Sequence, residues 1–136
     1  MRIIVSSLCF AALSACTQAS MPEPDEGAAF FAANCVSCHG AGGLGDGPIA
    51  AGLARRPANL TALARSNGGT FPTARALSYV YGDPKAGHLA RVMPQFGSAL
   101  ADDLVPIKVD GVQTPTPRAL AALLRYLETI QRQGQG

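Results

Sequence analysis

A five-residue cluster, Cys35-Val36-Ser37-Cys38-His39, constrains this 136-residue chain more than any other feature of its sequence. Two thiols separated by two residues can reach the same group, and the adjacent imidazole supplies a metal-binding nitrogen. Three chemistries use such a cluster: thiol–disulfide exchange, half of a zinc site, or covalent attachment of a haem. The residues around the cluster decide among them.

The surroundings of the cluster favour haem attachment. A zinc site needs two more ligands, but His88 is the only other histidine and no cysteine or group of carboxylates accompanies it. A thioredoxin-like thiol pair normally follows a β-strand, whereas the residues before Cys35 predict a helix. In the remaining interpretation, Cys35 and Cys38 form thioethers with one porphyrin, and His39 binds its iron. We therefore predict one covalently bound haem c.

The N-terminal segment predicts export and a lipid anchor. In residues 1–15, Arg2 precedes an apolar stretch that is shorter than the roughly 20 residues needed to cross a bilayer, as in a signal peptide. The stretch ends in Leu13-Ser14-Ala15-Cys16, which resembles the bacterial lipobox, so we expect cleavage before a lipidated Cys16. Residues 16–26 would form a polar tether, and the acyl chains would hold the protein on the periplasmic side of a bacterial membrane.

Charge and composition exclude a nucleic-acid-binding protein. Eleven Lys and Arg residues against nine Asp and Glu residues give a net charge of +2, and the chain has no tryptophan. No aromatic residues lie between basic ones in a stripe, so a base-stacking surface is not expected. The 15 glycines, 10 prolines and few aromatic residues favour helices joined by loops. A single domain over residues 27–133 accounts for the rest of the chain.

From Gly27 to the last predicted helix, the order of motifs resembles the class I cytochromes c. Gly27, Phe31 and Cys35 are spaced by four, so they share one face of a first helix. The last helix is predicted to follow Thr116 as its N-cap, with Pro117 in its first turn, and it carries an apolar stripe: Leu120, Leu123, Leu124, Leu127 and Ile130.

The resemblance implies an all-α fold with glycine-rich loops around one covalent haem. Its first and last helices would cross, with Leu123 and Tyr126 packing against Gly27 and Phe31. A short middle helix is predicted over residues 73–81. One segment departs from the family pattern, because residues 105–112 alternate apolar and polar side chains around Asp110-Gly111 and so predict a small hairpin.

The resemblance also implies further haem-binding residues. Met93, in Met93-Pro94-Gln95-Phe96-Gly97, matches the family's ligand loop and is the expected sixth iron ligand; core packing of Met93 and ligation by His88 are the alternatives. In the loop over residues 40–61, Pro48 is assigned the carbonyl that accepts the Nδ1 proton of the histidine ligand. Arg55 and Arg56 are candidates for binding a haem propionate, although arginines exposed only to solvent have the same sequence pattern.

These features predict an electron carrier and not an enzyme. One haem would pass single electrons between redox proteins outside the cytoplasm, such as a membrane oxidase, a reductase or a periplasmic dehydrogenase. The main alternative is a haem-based sensor in which an external ligand replaces Met93. A third interpretation is a thiol–disulfide enzyme that uses Cys35 and Cys38 without haem.

Overall fold

A computed structural model describes residues 20–82 and 93–132. Cys16, His88 and residues 17–19 of the predicted tether lie outside these residues. The described α-helices are α1 (Pro24–Asn34), α2 (Val36–His39), α3 (Thr73–Tyr81) and α4 (Arg118–Thr129). Two strands, β1 (Leu104–Val109) and β2 (Val112–Pro117), form an antiparallel sheet. Short 3₁₀ turns lie at Ala50–Gly52, Leu60–Ala62, Arg65–Asn67 and Ser98–Leu100.

Helix α1 begins at Pro24, with Asp25 and Glu26 in its first turn. The carboxylate of Glu26 accepts a 3.1 Å hydrogen bond from the backbone N–H of Glu23, which satisfies an amide at the helix start. Asp25 and Glu26 also place negative charge near the positive end of the helix dipole. Pro22 is completely buried. The folded part therefore includes residues 22–26, which we had assigned to the tether.

The predicted crossing of the first and last helices is present, and Gly27 permits it. A Cβ atom at Gly27 would overlap the carbonyl oxygen of Ala122 and lie 2.8 Å from the Cβ of Tyr126. One turn further along, the rings of Phe31 and Tyr126 pack with their centroids 5.3 Å apart. Only glycine allows the two backbones to come this close.

The hydrophobic core lies between α1, α3 and α4. Helix α4 contributes its apolar stripe, and α3 contributes Ala76 and Val80. The middle helix has the predicted bounds and ends at Gly82, whose left-handed φ of 98° favours glycine. The buried members of this core cluster are Phe31, Cys35, Phe71, Ala76, Val80, Leu120, Leu123, Leu124 and Leu127.

A β-hairpin corrects the all-α expectation. The predicted turn at Asp110-Gly111 is present, with φ values of 48° and 86°, and such a two-residue turn matches the twist of paired strands. The strands extend further than predicted, so Thr116 and Pro117 belong to β2. Thr116 therefore does not cap α4: its buried hydroxyl donates to the carbonyl of Thr114 at 3.0 Å. The position before α4 is occupied by Pro117.

The two strands carry prolines opposite one another, at Pro106 and Pro115. Val109 and Val112 flank the two-residue turn and therefore form a hydrogen-bonded pair. Alternation along the register makes Pro106 and Pro115 a non-hydrogen-bonded pair, whose nitrogens point away from the partner strand. The two prolines therefore remove no hydrogen bond between β1 and β2.

None of the helices within residues 20–82 and 93–132 is long and apolar enough to cross a membrane.

Candidate functional site

The Cys-Val-Ser-Cys-His cluster lies at the junction of α1 and α2. Cys35 directly follows the end of α1, and its N–H donates to the carbonyl of Phe31 at 2.9 Å. The carbonyl of Cys35 then accepts hydrogen bonds from the N–H groups of Cys38 (3.2 Å) and His39 (2.8 Å). One short turn thus holds both thiols and the imidazole, and both cysteines are free.

The ring of His39 is buried and oriented by one hydrogen bond. Its Nδ1 lies 3.0 Å from the carbonyl oxygen of Ala58. Because a carbonyl only accepts, Nδ1 carries a proton, and in the neutral ring Nε2 then keeps its lone pair. No residue in the described part of the chain forms a hydrogen bond with Nε2. Imidazoles that bind metals are held in this way.

The acceptor for His39 corrects the assignment of Pro48. The sequence prediction placed the Pro48 carbonyl opposite Nδ1, but the structure places Ala58 there. Pro48 is exposed and lies in a loop that contacts the back of the cluster. There the N–H of Gly47 donates to the carbonyl of Cys38 at 3.1 Å, and the N–H of Ile49 donates to that of Ser37 at 3.1 Å.

Gly47 brings this loop against the cluster backbone. A Cβ atom at position 47 would lie 2.6 Å from the carbonyl carbon of Cys38 and 2.6 Å from the carbonyl oxygen of Val36. Both contacts are with backbone atoms, which cannot move aside without disturbing the turn. The loop that contains Gly47 therefore packs directly on the backbone of the cluster and holds it in place.

A second network fixes the segment that carries Ala58. The side chain of Asn59 accepts hydrogen bonds from the backbone N–H (3.0 Å) and the hydroxyl (2.8 Å) of Thr61. The N–H of Leu60 donates to the carbonyl of Gly43 at 2.7 Å. These contacts hold the Ala58 carbonyl in place for His39, and sequence reasoning had identified none of them.

The predicted ligand loop lies against the core. Met93 is half-buried and packs on the core cluster, which includes Cys35. The loop is fastened to the end of α3: the N–H of Phe96 donates to the Val80 carbonyl at 2.9 Å, and that of Gly97 donates to the Tyr81 carbonyl at 3.1 Å.

The environment of Cys35 does not suit thiol–disulfide exchange. Burial raises the pKa of the Cys35 thiol to about 11, and the adjacent Cys38 thiol adds to the shift. Exchange enzymes need a thiolate at neutral pH, and they obtain it by lowering the pKa of an accessible cysteine. A buried thiol that stays protonated lacks this reactivity.

Comparison with known families agrees with the geometry of the site. The family model for cytochrome c oxidase, cbb3-type, subunit III matches residues 22–105, which include the cluster and Met93. The chain belongs to this family of class I c-type cytochromes. No curated protein and no solved structure matched the chain. The match ends as the hairpin begins, so most of the hairpin and all of α4 lie beyond it.

Proteins of this family carry a covalently bound haem c with its iron, so haem c is the cofactor of this cytochrome. Its general role is that of an electron carrier that interacts with redox proteins. The residues present fit this group. Cys35 and Cys38 are free thiols on one turn, and His39 keeps a lone pair on Nε2. Within the described ranges, no three His, Cys, Asp or Glu side chains gather into another metal site.

The other predicted site residues of the cytochrome stay predictions. Arg55 and Arg56 are exposed, and neither forms an ion pair within residues 20–82 and 93–132. Cys16 and the competing ligand His88 lie outside the described residues. A cavity of about 470 Å³ opens elsewhere, beside Phe30 and Arg118 near the start of α4.

Proposed function

We propose that this cytochrome binds a single haem with His39 and Met93 as axial ligands and passes single electrons between redox proteins. When bound, the haem supplies an iron that changes between its ferrous and ferric states. In this proposal the chain's own residues fasten and ligate the haem, no catalytic base or nucleophile is required, and the protein acts as a carrier and not as an enzyme.

The orientation of His39 carries this proposal. Its Nδ1 proton is donated to the Ala58 carbonyl at 3.0 Å, which leaves Nε2 available for iron. That hydrogen bond fixes the tautomer and the ring plane, and it makes the imidazole a better electron donor. An iron ligand that keeps its position in both oxidation states needs little rearrangement when an electron arrives or leaves.

The position of Met93 supports its assignment as the second iron ligand. Its half-buried side chain packs on the cluster that contains Cys35, and the loop after it is fastened to α3. A thioether favours ferrous iron and raises the reduction potential above that of bis-histidine coordination. This suits a carrier that accepts electrons from dehydrogenases or reductases and delivers them to an oxidase.

We also propose that Cys16 is lipidated and that the cytochrome works on the periplasmic side of a bacterial membrane. Arg118 holds the carbonyl of Ser20 at 2.8 Å, so only residues 17–19 lie between that contact and Cys16. An anchored carrier stays close to membrane partners, which raises their effective concentration. The family's description as an oxidase subunit makes a membrane oxidase our leading partner.

The mass and the spectrum of the purified protein test these proposals. We expect the mass of the mature chain from Cys16 plus one haem and the acyl chains. A ferric protein with methionine ligation shows a weak far-red charge-transfer band, and Met93→Ala should abolish that band. A high-spin ferric spectrum in the wild type would favour the sensor instead. Free thiols on Cys35 and Cys38 after expression with haem-attachment machinery would contradict the proposed function.

A further inference from the structure

Helix α1 makes a direct aromatic contact with the ligand loop. The ring of Phe30 meets the ring of Phe96 edge-to-face, with a centroid separation of 5.3 Å and an interplanar angle of 74°. Phe96 lies three residues after Met93 and donates its backbone N–H to Val80 of α3. The loop is therefore held from two sides, by hydrogen bonds to α3 and by one ring from α1.

The part of the loop that contains Met93 depends on this attachment. Within the described residues, no hydrogen bond holds the backbone of residues 93–95, and the first fixed points after Met93 are Phe96 and Gly97. A movement of Phe96 would therefore act on Met93, whose segment is otherwise held only by packing, with Met93 against the core and Gln95 beside Gly82.

Phe30 differs from its neighbour Phe31 in how it is packed. Phe31 is 2% exposed and contacts Tyr126 in the helix crossing. Phe30 is half-buried, and besides the Phe96 ring it borders the cavity of about 470 Å³ that also touches Leu100. Because Phe30 is only partly buried, shortening it removes less buried apolar surface than shortening Phe31, so its contact with the loop can be changed without unfolding the domain.

We propose that Phe30 is a positioning residue for the sixth iron ligand: its contact with Phe96 sets how readily Met93 leaves the iron. This inference rests on the proposed Met93 ligation. An external ligand binds only while the thioether is away, so its apparent affinity reports the fraction of molecules in that state. An aromatic pair of this geometry is strong enough to change that fraction by about three- to tenfold.

Imidazole titration of the ferric, haem-loaded protein tests the proposal. Phe30→Leu should bind imidazole about three- to tenfold more tightly than wild type and should weaken the far-red band. Phe31→Leu is the matched control: it should lower the unfolding temperature more, because Phe31 belongs to the core, yet leave imidazole affinity unchanged. Phe30→Tyr retains the ring and should behave as wild type.

A reciprocal variant keeps the test independent of folding. Phe96→Leu should reproduce the effect of Phe30→Leu, and the double variant should add little, since both remove one contact. Wild-type imidazole affinity in Phe30→Leu, or an equal gain in Phe31→Leu, would overturn the inference. Absence of the far-red band from the wild type would instead refute Met93 ligation, and the role of Phe30 with it.

Discussion

Gln131, just beyond α4, donates a side-chain hydrogen bond of 2.8 Å to the carbonyl of Leu60, two residues after the Ala58 that orients His39. Its Nε2 also donates to the Leu127 carbonyl, and its Oε1 accepts from the N–H of Ala64 at 2.9 Å. The end of the last helix is thereby tied to the segment that carries the histidine's hydrogen-bond acceptor.

This contact predicts the effect of Gln131→Glu. The amide donates and accepts, whereas a carboxylate only accepts and would face the carbonyls of Leu60 and Leu127. We expect a loss of about 2–3 kcal/mol in the free energy of unfolding at pH 7. The same contacts raise the folded-state pKa of the introduced carboxyl. The loss of unfolding free energy should therefore shrink as the pH falls through that pKa and the carboxyl becomes protonated.

Guanidinium denaturation at several pH values measures this effect. The matched control is Gln113→Glu, an exposed position paired across the hairpin with Lys108, where we expect little change or a slight gain. Equal stability of the two variants at pH 7 would contradict the role assigned to Gln131.

Gly27→Ala tests the helix crossing. The added methyl group would overlap the Ala122 carbonyl, a backbone atom that cannot turn aside. Overpacking costs about 1–3 kcal/mol and the gain in helix propensity is about 1 kcal/mol, so we expect a net loss of up to about 2 kcal/mol. Chemical denaturation gives the value. Gly52→Ala has no neighbour within 4 Å and should change stability by less than about 0.5 kcal/mol.

Gly47→Ala should impair haem attachment. A Cβ atom there would press on the backbone of the turn that presents Cys38 and His39. Displacement of that turn costs about 1–3 kcal/mol and misaligns the thiols, so fewer chains should carry covalent haem. Haem staining after denaturing electrophoresis, normalised to protein, measures the fraction. Gly42→Ala meets only ordinary contacts with Leu44 at 3.6 Å and should load normally.

The ion pair between Glu26 and Arg118 predicts a pH dependence. Arg118 Nε lies 3.1 Å from Glu26 Oε2, and this hydrogen bond, together with that from Glu23, lowers the pKa of the Glu26 carboxyl. The resulting stabilisation is complete above the unfolded-state pKa of about 4.3 and disappears as the pH falls through the lower folded-state value.

Thermal unfolding of Glu26→Gln measures this contribution. The variant should melt slightly below wild type at pH 7, and the difference should vanish in strong acid. The effect should be small because the pair is exposed. Asp102→Asn removes an exposed carboxylate that has no ion pair in the described part of the chain, and it should show no such convergence. A difference for Glu26→Gln that persists in acid would contradict the prediction.

Periodicity, turn chemistry and the resemblance to class I cytochromes c together predicted most of the architecture. The four-residue spacing placed Gly27 and Phe31 on one helix face, and the resemblance implied that this face meets α4. Asp110-Gly111 predicted the turn of the hairpin. The error at Thr116 arose because a residue before an apolar helix suits a cap or a strand equally well, and strand pairing across the hairpin decided between them.

The hydrogen-bond acceptor for His39 could not be predicted from the sequence. It is a backbone carbonyl, and every residue has one, so the residue type of Ala58 carries no signal. Only the path of the loop brings that carbonyl to Nδ1, and this path depends on Asn59 and Gln131. The start of α1 did have a signal in the sequence, the spacing of Glu23 and Glu26 that is typical of a helix start.

The prolines of the hairpin affect how copies of the protein meet one another. A two-stranded sheet has two open edges, and here Leu104 and Val112 are also exposed to water, a combination that normally invites strands of other molecules. Pro106 and Pro115 interrupt the outward row of N–H donors on β1 and β2, respectively. Neither edge therefore offers an unbroken row of donors to a strand of another molecule, despite the exposed apolar side chains.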